Sequence, residues 1–418
     1  MPVDHKQSVV GTLKSAAHHL IFWVPIASLV GIMAGSASAV LLASLEFATQ
    51  VRESHRWIIA FLPLAGLAVG YLYHFFGTTV ELGNDLILDQ LQLELRDAST
   101  AIPLRMSPLI LIGTFVTHLF GGSAGREGTA IQAGASLADQ LAAPLRLDPG
   151  SRRVLLMIGI SAGFASVFGT PFAGAIFGTE VLALGSVSYE ALFPCVIGAF
   201  AGELTTRAWH IHHTIYSVGV FPTVSLVGIG WAVVAGAAFG MVAQSFVRTT
   251  HRLSAFFKRS IRFAPLRPLA GGVLVALGVF SLRSTRYVGL GIPTIQASFG
   301  GLQPWWDWVG KWVFTTVTLG AGFKGGEVTP LFFIGATLGN ALSRILPLPT
   351  GLLAGMGFVG VFAGASNTPI ASTIMALELF GGEIGAYAGV ACLVSYLLSG
   401  DVSIYRTQRI GKGKLLRR

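Results

Sequence analysis

The chain has 418 residues, of which 53% are hydrophobic and only 11% charged, and it carries a net charge of +9. Soluble domains contain about 25% charged residues, so the composition excludes an ordinary soluble protein and predicts a protein of the lipid bilayer. The positive charge lies in short runs beside apolar segments and is not interleaved with aromatic residues, which excludes nucleic acid as an expected partner.

Apolar segments of two lengths follow one another along the chain. Four of them reach the ~17–25 residues that span a bilayer, at 19–45, 57–76, 187–208 and 223–247. Four others, at 130–143, 172–184, 331–342 and 369–380, are shorter and begin near glycine or proline. Short segments of this kind fit broken helices that end inside the protein and line a cavity. We therefore expect eight or nine tilted or incomplete helices in each half.

The basic runs predict the topology. They lie at 6–14, 146–153, 248–262 and 406–418, and the positive-inside rule places such runs in the cytoplasm, so both termini are expected there. The first apolar segment is long and lacks a small-residue cleavage site, so no cleaved signal peptide is expected. The predicted division is a cytoplasmic segment 1–18, a first membrane repeat 19–209, a connector 210–222, a second repeat 223–405 and a basic tail 406–418.

Two glycine-flanked glutamates are the most informative local feature. The sequences GREGT at 125–129 and GGEVTP at 325–330 place Glu127 and Glu327 just before apolar runs, 200 positions apart. A carboxylate in the bilayer is costly and is by default a functional-site hypothesis. A glycine-rich turn at a helix start presents free N–H groups and the positive end of the helix dipole. The pattern predicts an anion site with an acidic side chain beside it, built twice.

A second pair of matching segments supports a duplication. Glu180 and Glu378 each follow a Thr-Pro pair, nine positions after Pro171 and Pro369 respectively, and lie 198 positions apart. Transporters often contain inverted repeats whose broken helices meet near the bilayer midplane. We predict an all-α polytopic membrane protein of two inverted-topology repeats. Because Glu180 and Glu378 occupy equivalent positions, we expect them to share a structural role.

Two further patterns suggest other chemistry. His210, His212 and His213 fall in the connector and are the residue type that binds zinc, but no carboxylate or cysteine accompanies them, which favours a hydrated loop. The run at 159–163 matches the GxSxG pattern of hydrolases, yet no strand precedes it and no histidine partner is evident. We expect no enzyme activity, no cofactor and no metal.

The motifs resemble those of the CLC chloride channels and proton-coupled anion antiporters. GREGT at 125–129 is similar to the family's GREG(P) element, with Thr129 in place of the proline, and GGEVTP falls at its second-half GxFxP element. The stretch 166–180 resembles the NAPLAG-to-glutamate helix. Tyr405 falls where a tyrosine guards the inner mouth of the pathway. The resemblance extends from about residue 20 to residue 410.

The departures from the chloride-type pattern resemble one branch. Asn84 stands where chloride-type members have the serine of GSGIP, Glu327 and Thr329 replace apolar or small residues, and Val181 replaces an inward-facing glutamate. This combination is similar to the CLC-F branch of bacterial fluoride/proton antiporters. The resemblance implies a homodimer in the inner membrane that exports fluoride in exchange for protons and gives fluoride resistance. A chloride/proton antiporter and a passive anion channel are the alternatives.

Fluoride is small and strongly hydrated, so its site must replace water with several hydrogen-bond donors. One expected donor is the side-chain amide of Asn84. The others are backbone N–H groups: those of Gly125, Arg126 and Gly128 in the first repeat, and those of Glu327 and Val328 in the second. The alternative for Asn84 is a helix N-cap, a position that asparagine favours.

The expected roles in proton coupling belong to four residues. Glu127 is predicted to compete with the anion as a gate when ionised and to carry a proton when it leaves; an ion pair with Arg126, or a helix-capping role, is the alternative. Glu327 is predicted as a second proton station, against an ion pair with Lys324. Thr329 is expected to hydrogen-bond Glu327, or else only to pack. Tyr405 is expected at an inner gate, or else as an interfacial tyrosine.

Overall fold

The computed structural model describes residues 5–92, 101–182, 187–408 and 414, with side chains from residue 20 onward. Most of the predicted basic tail and the first four residues lie outside these ranges. The described chain forms sixteen α-helices and two 3₁₀ helices. The α-helices are α1 (His5–Ser54), α2 (Leu62–Phe76), α3 (Asn84–Gln92), α4 (Met106–Leu119), α5 (Glu127–Asp139), α6 (Pro149–Phe168), α7 (Pro171–Glu180), α8 (Tyr189–Ala208), α9 (Leu226–Ser260), α10 (Leu266–Leu282), α11 (Ile292–Gly300), α12 (Asp307–Gly320), α13 (Val328–Leu342), α14 (Thr350–Ser366), α15 (Pro369–Phe380) and α16 (Gly385–Leu398).

The predicted apolar segments correspond to helices, with differences in length. Four helical segments, at Leu20–Ser54, Arg56–Phe76, Pro149–Phe168 and Leu226–Ser260, are long and apolar enough to cross a bilayer. The first and the last extend well beyond the predicted ends at residues 45 and 247, because polar and basic residues continue the helix past the apolar run. The segment 149–168 was missed as a span, since Arg152 and Arg153 open it. The short segments form α5, α7, α13 and α15, as predicted.

The helices fall into two sets of eight with the same packing pattern. α1 packs on α8 as α9 packs on α16, and α5 packs on α6 as α13 packs on α14. In addition, three helices contact their own counterparts, namely α2 with α10, α5 with α13, and α7 with α15. Contacts between equivalent elements lie on the axis that relates the repeats. The sets α1–α8 and α9–α16 are therefore the two repeats of the fold.

Reciprocal caps between α7 and α15 show that the repeats are inverted. The carboxylate of Glu180, the last residue of α7, accepts hydrogen bonds from two N–H groups at the start of α15, at 3.0 and 2.8 Å. Glu378, near the end of α15, accepts from two N–H groups at the start of α7, at 2.9 and 2.8 Å. Since the end of each helix caps the beginning of the other, the two helices are antiparallel. The predicted shared structural role of the two glutamates is confirmed.

The helices that carry the site are buried on all sides. Every residue of α14 from Gly351 to Ser366 is buried, and α5, α6 and α13 are nearly as enclosed. Close packing depends on glycine, because a methyl group on Gly335 of α13 would collide with the backbone of Gly357 on α14. The hydrolase-like run at 159–163 lies within buried helix α6. The short helices α5 and α13 therefore have fixed positions deep in the protein.

Candidate functional site

The loops that precede α5 and α13 meet in an antiparallel bridge. Gly125 donates its N–H to the carbonyl of Gly326 at 2.6 Å, and Gly326 donates to the carbonyl of Gly125 at 2.9 Å. Both positions require glycine: a Cβ on Gly326 would lie 2.7 Å from the nitrogen of Gly128, and a Cβ on Gly125 would lie 2.9 Å from the Gly326 carbonyl oxygen. The bridge brings the first turns of two antiparallel helices to one point, where their N–H groups and dipoles converge.

The carboxylate of Glu127 occupies this point. It is fully buried, and its Oε2 accepts hydrogen bonds from the backbone N–H of Thr329 at 3.0 Å and of Arg126 at 3.1 Å. Its Oε1 accepts from the hydroxyl of Thr329 and lies 3.7 Å from Nε of Arg126. Both alternatives from the sequence, the ion pair with Arg126 and a capping contact, are thus present in one arrangement. The cap, however, belongs to the helix of the other repeat, α13.

The predicted partner of Thr329 is wrong. We expected its hydroxyl to bond Glu327 across one helical turn, whereas it donates to Glu127 from the other repeat. The physical reason is the antiparallel bridge, which brings the first turn of α13 against Glu127. Thr129, in the position that resembles the family's proline, makes a different contact: its hydroxyl bonds that of Thr114 on α4 at 2.6 Å.

Two cavities approach the bridge from different elements. The larger has a volume of about 440 Å³ and is lined by Arg126 and by the connector residues His210, His212 and His213, among others. We call it the Arg126 cavity. Burial, followed by the nearby charge of Arg126, lowers the pKa of His213 to about 4. Among the described residues no group of three or more His, Cys, Asp or Glu is arranged to hold a metal ion. The histidines therefore line this cavity beside Arg126, together with apolar residues such as Leu45 and Leu290.

The smaller cavity, of about 140 Å³, contains Asn84 and Glu327, and we call it the Asn84 cavity. Asn84 is the first residue of α3, and its Oδ1 is buried without a hydrogen-bond partner in the described chain. The N-cap interpretation is therefore wrong, because a capping side chain accepts a backbone N–H at this position. The amide nitrogen faces α5 instead, at 3.1 Å from the point that a Cβ on Gly128 would occupy.

Glu327 is the residue before α13 and lines the Asn84 cavity with Asp85 and Glu81. No ion pair joins it to Lys324 in the described part of the chain; the ammonium of Lys324 lies instead over the ring of Tyr73, 3.9 Å from its centroid. The ion-pair interpretation is thus wrong. The two glutamates therefore have different surroundings. The Glu127 carboxylate accepts hydrogen bonds from backbone N–H groups, whereas Glu327 lines a cavity.

Tyr405 is 4% exposed, so the interpretation as an ordinary interfacial tyrosine is wrong. Its ring meets that of Phe177 edge-on at 6.3 Å, and its hydroxyl has no hydrogen-bond partner among the described residues. The carboxyl groups of Glu327, Glu127 and Asp85 are its electrostatic neighbours. Tyr405 therefore lies near the glutamates of both repeats, Glu127 and Glu327.

Two residues at the site were missed from the sequence. Gln132, on α5, is 7% exposed and lines the Asn84 cavity beside Gly83. His118, on α4, is fully buried, and its two ring nitrogens lie 2.8 Å from the carbonyl of Thr114 and 3.0 Å from that of Ala124, next to the bridge. The one signal for Gln132 is that it is an amide within an otherwise apolar part of α5. Nothing in the sequence ties His118 to the site.

The fold and this site define a helical membrane protein of two inverted repeats, in which broken helices from both repeats present their first turns to one buried point. The sequence model of the family described as "Voltage gated chloride channel" matches residues 65–400 of the chain. The chain belongs to this family, the CLC family.

Individual relatives agree. The chain is 55% identical over 398 residues to the "Chloride/fluoride channel protein" of Pseudomonas syringae pv. tomato, covering 94% of this chain and 87% of that protein. It is similar to a crystal structure of a CLC-type fluoride/proton antiporter, with a TM-score of 0.90 and 35% identity over 94% of this chain and 98% of that one. A slow cyanobacterial Cl⁻/H⁺ antiporter shares the fold, with a TM-score of 0.76 at 18% identity over 91% and 94% of the two chains.

Proposed function

We propose that the protein is a proton-coupled fluoride antiporter that exports fluoride from a bacterial cytoplasm and so gives fluoride resistance. The observation that carries the proposal is the position of the Glu127 carboxylate on the first turn of α13, held by Thr329 and by the N–H of Arg126. An ionised carboxylate is itself an anion, so the donors that hold it are suited to hold a mobile anion in its place. The similarity to the fluoride/proton antiporter structure supports the same conclusion.

The gate mechanism follows from this competition. While Glu127 is ionised, its carboxylate occupies the donors and the anion is excluded. When Glu127 takes up a proton, its attraction to the N–H groups falls and the side chain leaves, carrying the proton. Fluoride then takes the same donors, with the N–H groups of Gly128 and Val328 and the amide of Asn84 completing its shell. Because proton and fluoride alternate at one point, the movement of each depends on the other.

The second proton station is Glu327 in the Asn84 cavity. It lines this cavity, on the other side of the bridge from the Glu127 carboxylate, so a proton that Glu127 takes up from outside reaches the cavity only by passing the bridge. Tyr405, whose hydroxyl is free of hydrogen bonds in the described chain and has both glutamates as electrostatic neighbours, is placed to relay between them. In this mechanism Thr329 holds the Glu127 carboxylate through its hydroxyl and makes no contribution to Glu327.

The orientation in the membrane follows from charge. Asp85 of the Asn84 cavity accepts a hydrogen bond from the backbone N–H of Arg406, at the start of the basic tail, at 2.8 Å. By the positive-inside rule this cavity opens to the cytoplasm, and the Arg126 cavity opens outward. We propose both termini in the cytoplasm, the inner membrane as the location, a homodimer with one pathway in each subunit, and the repeat boundaries 19–209 and 223–405 with the connector 210–222.

The substrate is tested by anion release from liposomes. Purified protein is reconstituted in vesicles loaded with equal concentrations of fluoride and chloride. Valinomycin lets potassium balance the charge, each anion is followed with its own electrode, and a pH electrode records proton movement. Fluoride is expected to leave much faster than chloride. Equal rates for the two ions would reject the fluoride assignment in favour of a chloride/proton antiporter, and fluoride release without any proton movement would indicate a passive channel.

A further inference from the structure

The Asn84 cavity contains a second carboxamide, Gln132, that the mechanism above does not use. Gln132 lies on α5, five residues after Glu127, and its side chain is 93% removed from solvent. No hydrogen bond to another residue forms at this amide in the described part of the chain, and its polar atoms are not among the buried atoms that lack a partner, so the amide is open to the cavity. An amide that is enclosed by the protein but faces a cavity has N–H donors available to a small ligand.

The position of Gln132 is fixed by the turn that precedes Asn84. Gly83 has φ +59°, a backbone conformation that favours glycine, and a Cβ there would lie 3.0 Å from Nε2 of Gln132. Because Gly83 has no side chain, the amide of Gln132 fits directly beside this residue, which comes next to Asn84 in the chain. α3 packs on α5, and the two amides, one from each helix, line the same cavity.

The charges around the cavity explain why neutral donors are needed. Its charged residues are the acids Glu81, Asp85 and Glu327 and the amine of Lys324, which lies over the ring of Tyr73. The carboxylates repel an entering anion. A site that must also release its ion requires donors that replace water without a fixed positive charge. Carboxamides meet both requirements, and Gln132 and Asn84 are the two that line this cavity among the described residues.

We propose that Gln132 is a specificity-determining residue that donates its amide N–H to fluoride in the Asn84 cavity, as the partner of Asn84. This inference rests on the proposed fluoride transport. Fluoride, with its small radius, gains more from a second close donor than chloride does, so the amide favours fluoride entry from the cytoplasmic side. The role differs from that of Glu127, because it concerns the affinity for the anion and not the proton cycle.

The test compares Gln132→Met with wild-type protein in fluoride-loaded liposomes. Methionine has nearly the same length and volume but no N–H group, so packing against Gly83 is retained. A hydrogen bond to a charged group is worth enough to change an affinity about tenfold or more. The half-saturating fluoride concentration is expected to rise by about that factor and the preference over chloride to fall, while the number of protons moved per fluoride stays unchanged.

Gln140→Met is the matched control. Gln140 lies just after α5 and donates to the carbonyls of Ile102 and Ser136 at 2.9 and 2.8 Å, outside the cavity. This variant should keep the wild-type half-saturation for fluoride, whatever its stability. An equal half-saturation in Gln132→Met and wild type would overturn the inference for Gln132 while leaving fluoride transport standing. A wild-type protein that moves no fluoride would instead overturn the proposed function.

A second variant separates donation from packing. Gln132→Glu has the same shape, accepts hydrogen bonds when ionised and donates one when protonated. Its fluoride release relative to that of Gln132→Met is expected to be lower at pH 7.5 and higher at acidic internal pH (about 5), where the carboxyl regains a donor. A constant ratio at both pH values contradicts donation. If neither variant elutes as a single species in detergent, Gln132 is a folding residue and the proposal is wrong.

Discussion

The contact between Thr329 and Glu127 offers the sharpest perturbation of the gate. Thr329→Val keeps the β-branched shape and the backbone N–H that bonds Glu127 Oε2 at 3.0 Å, but it removes the hydroxyl that bonds Oε1. The carboxylate then retains the N–H donors of Thr329 and Arg126 and the nearby charge of Arg126. The change therefore weakens the closed position of the gate without opening a gap in the protein.

The size of the effect follows from the kind of bond removed. A hydrogen bond to a charged group contributes about 1.5–3 kcal/mol, and each 1.4 kcal/mol changes an equilibrium tenfold. Fluoride competes with the Glu127 carboxylate for the same donors, so a weaker seat favours fluoride. The half-saturating fluoride concentration is expected to fall by about tenfold or more. Fewer protons should also move per fluoride, because the carboxylate leaves its seat more often without a proton.

The assay is fluoride-driven proton movement in liposomes, with fluoride and pH electrodes recording together. Thr129→Val is the control: it makes the same chemical change, but the Thr129 hydroxyl bonds Thr114 and not Glu127. The control should keep the wild-type half-saturation and proton ratio. If Thr329→Val also kept both values, the hydroxyl would not hold the gate, and the competition between carboxylate and fluoride would need another explanation.

Three other changes test separate parts of the account. Asn84→Ser should lower the preference for fluoride over chloride several-fold with an unchanged unfolding temperature. A lower unfolding temperature with an unaltered preference would return Asn84 to a structural role. Glu327→Gln should lose proton movement while retaining some fluoride leak; wild-type coupling would remove it from the pathway. Gly326→Ala puts a Cβ 2.7 Å from the backbone nitrogen of Gly128, so its thermal midpoint should drop by several degrees, an overpacking cost of about 1–3 kcal/mol. Gly300→Ala, which meets no atom within 4 Å, should leave that midpoint unchanged, and equal midpoints in the two variants would contradict the close approach at the bridge.

The repeat and the two site glutamates could be predicted because their causes are local. A glycine-flanked carboxylate before an apolar run is unusual in any sequence, and finding it twice at one offset identifies both the helix starts and the duplication. The Thr-Pro segments before Glu180 and Glu378 gave the second match for the same reason. Apolar run length predicted the short helices well and the long ones less well, since a helix continues past its apolar part where α9 enters the polar surface.

The partners of these residues could not be predicted, because they depend on how the repeats cross. Thr329 lies two residues from Glu327 in the sequence, so a bond within one turn was the expected contact, yet the antiparallel bridge at Gly125 and Gly326 brings it to Glu127. Lys324 follows the same rule: its sequence neighbour is Glu327, but its ammonium lies over Tyr73 of the other repeat. The burial of Tyr405 likewise comes from packing against Phe177 of the first repeat. Contacts between repeats leave no periodic trace in one sequence.

The central claim is that Glu127 exchanges its seat with fluoride and carries the proton in doing so. The direct measurement is proton uptake into liposomes that hold an outward fluoride gradient, with the membrane voltage clamped by potassium and valinomycin. Wild-type protein should take up protons until the proton gradient that builds up balances the fluoride gradient. Glu127→Gln, which keeps the shape of the side chain but cannot change its charge, should take up none. Glu190→Gln, at an exposed position on α8, should behave as wild type. Wild-type proton uptake by Glu127→Gln would contradict the gate and the coupling mechanism together.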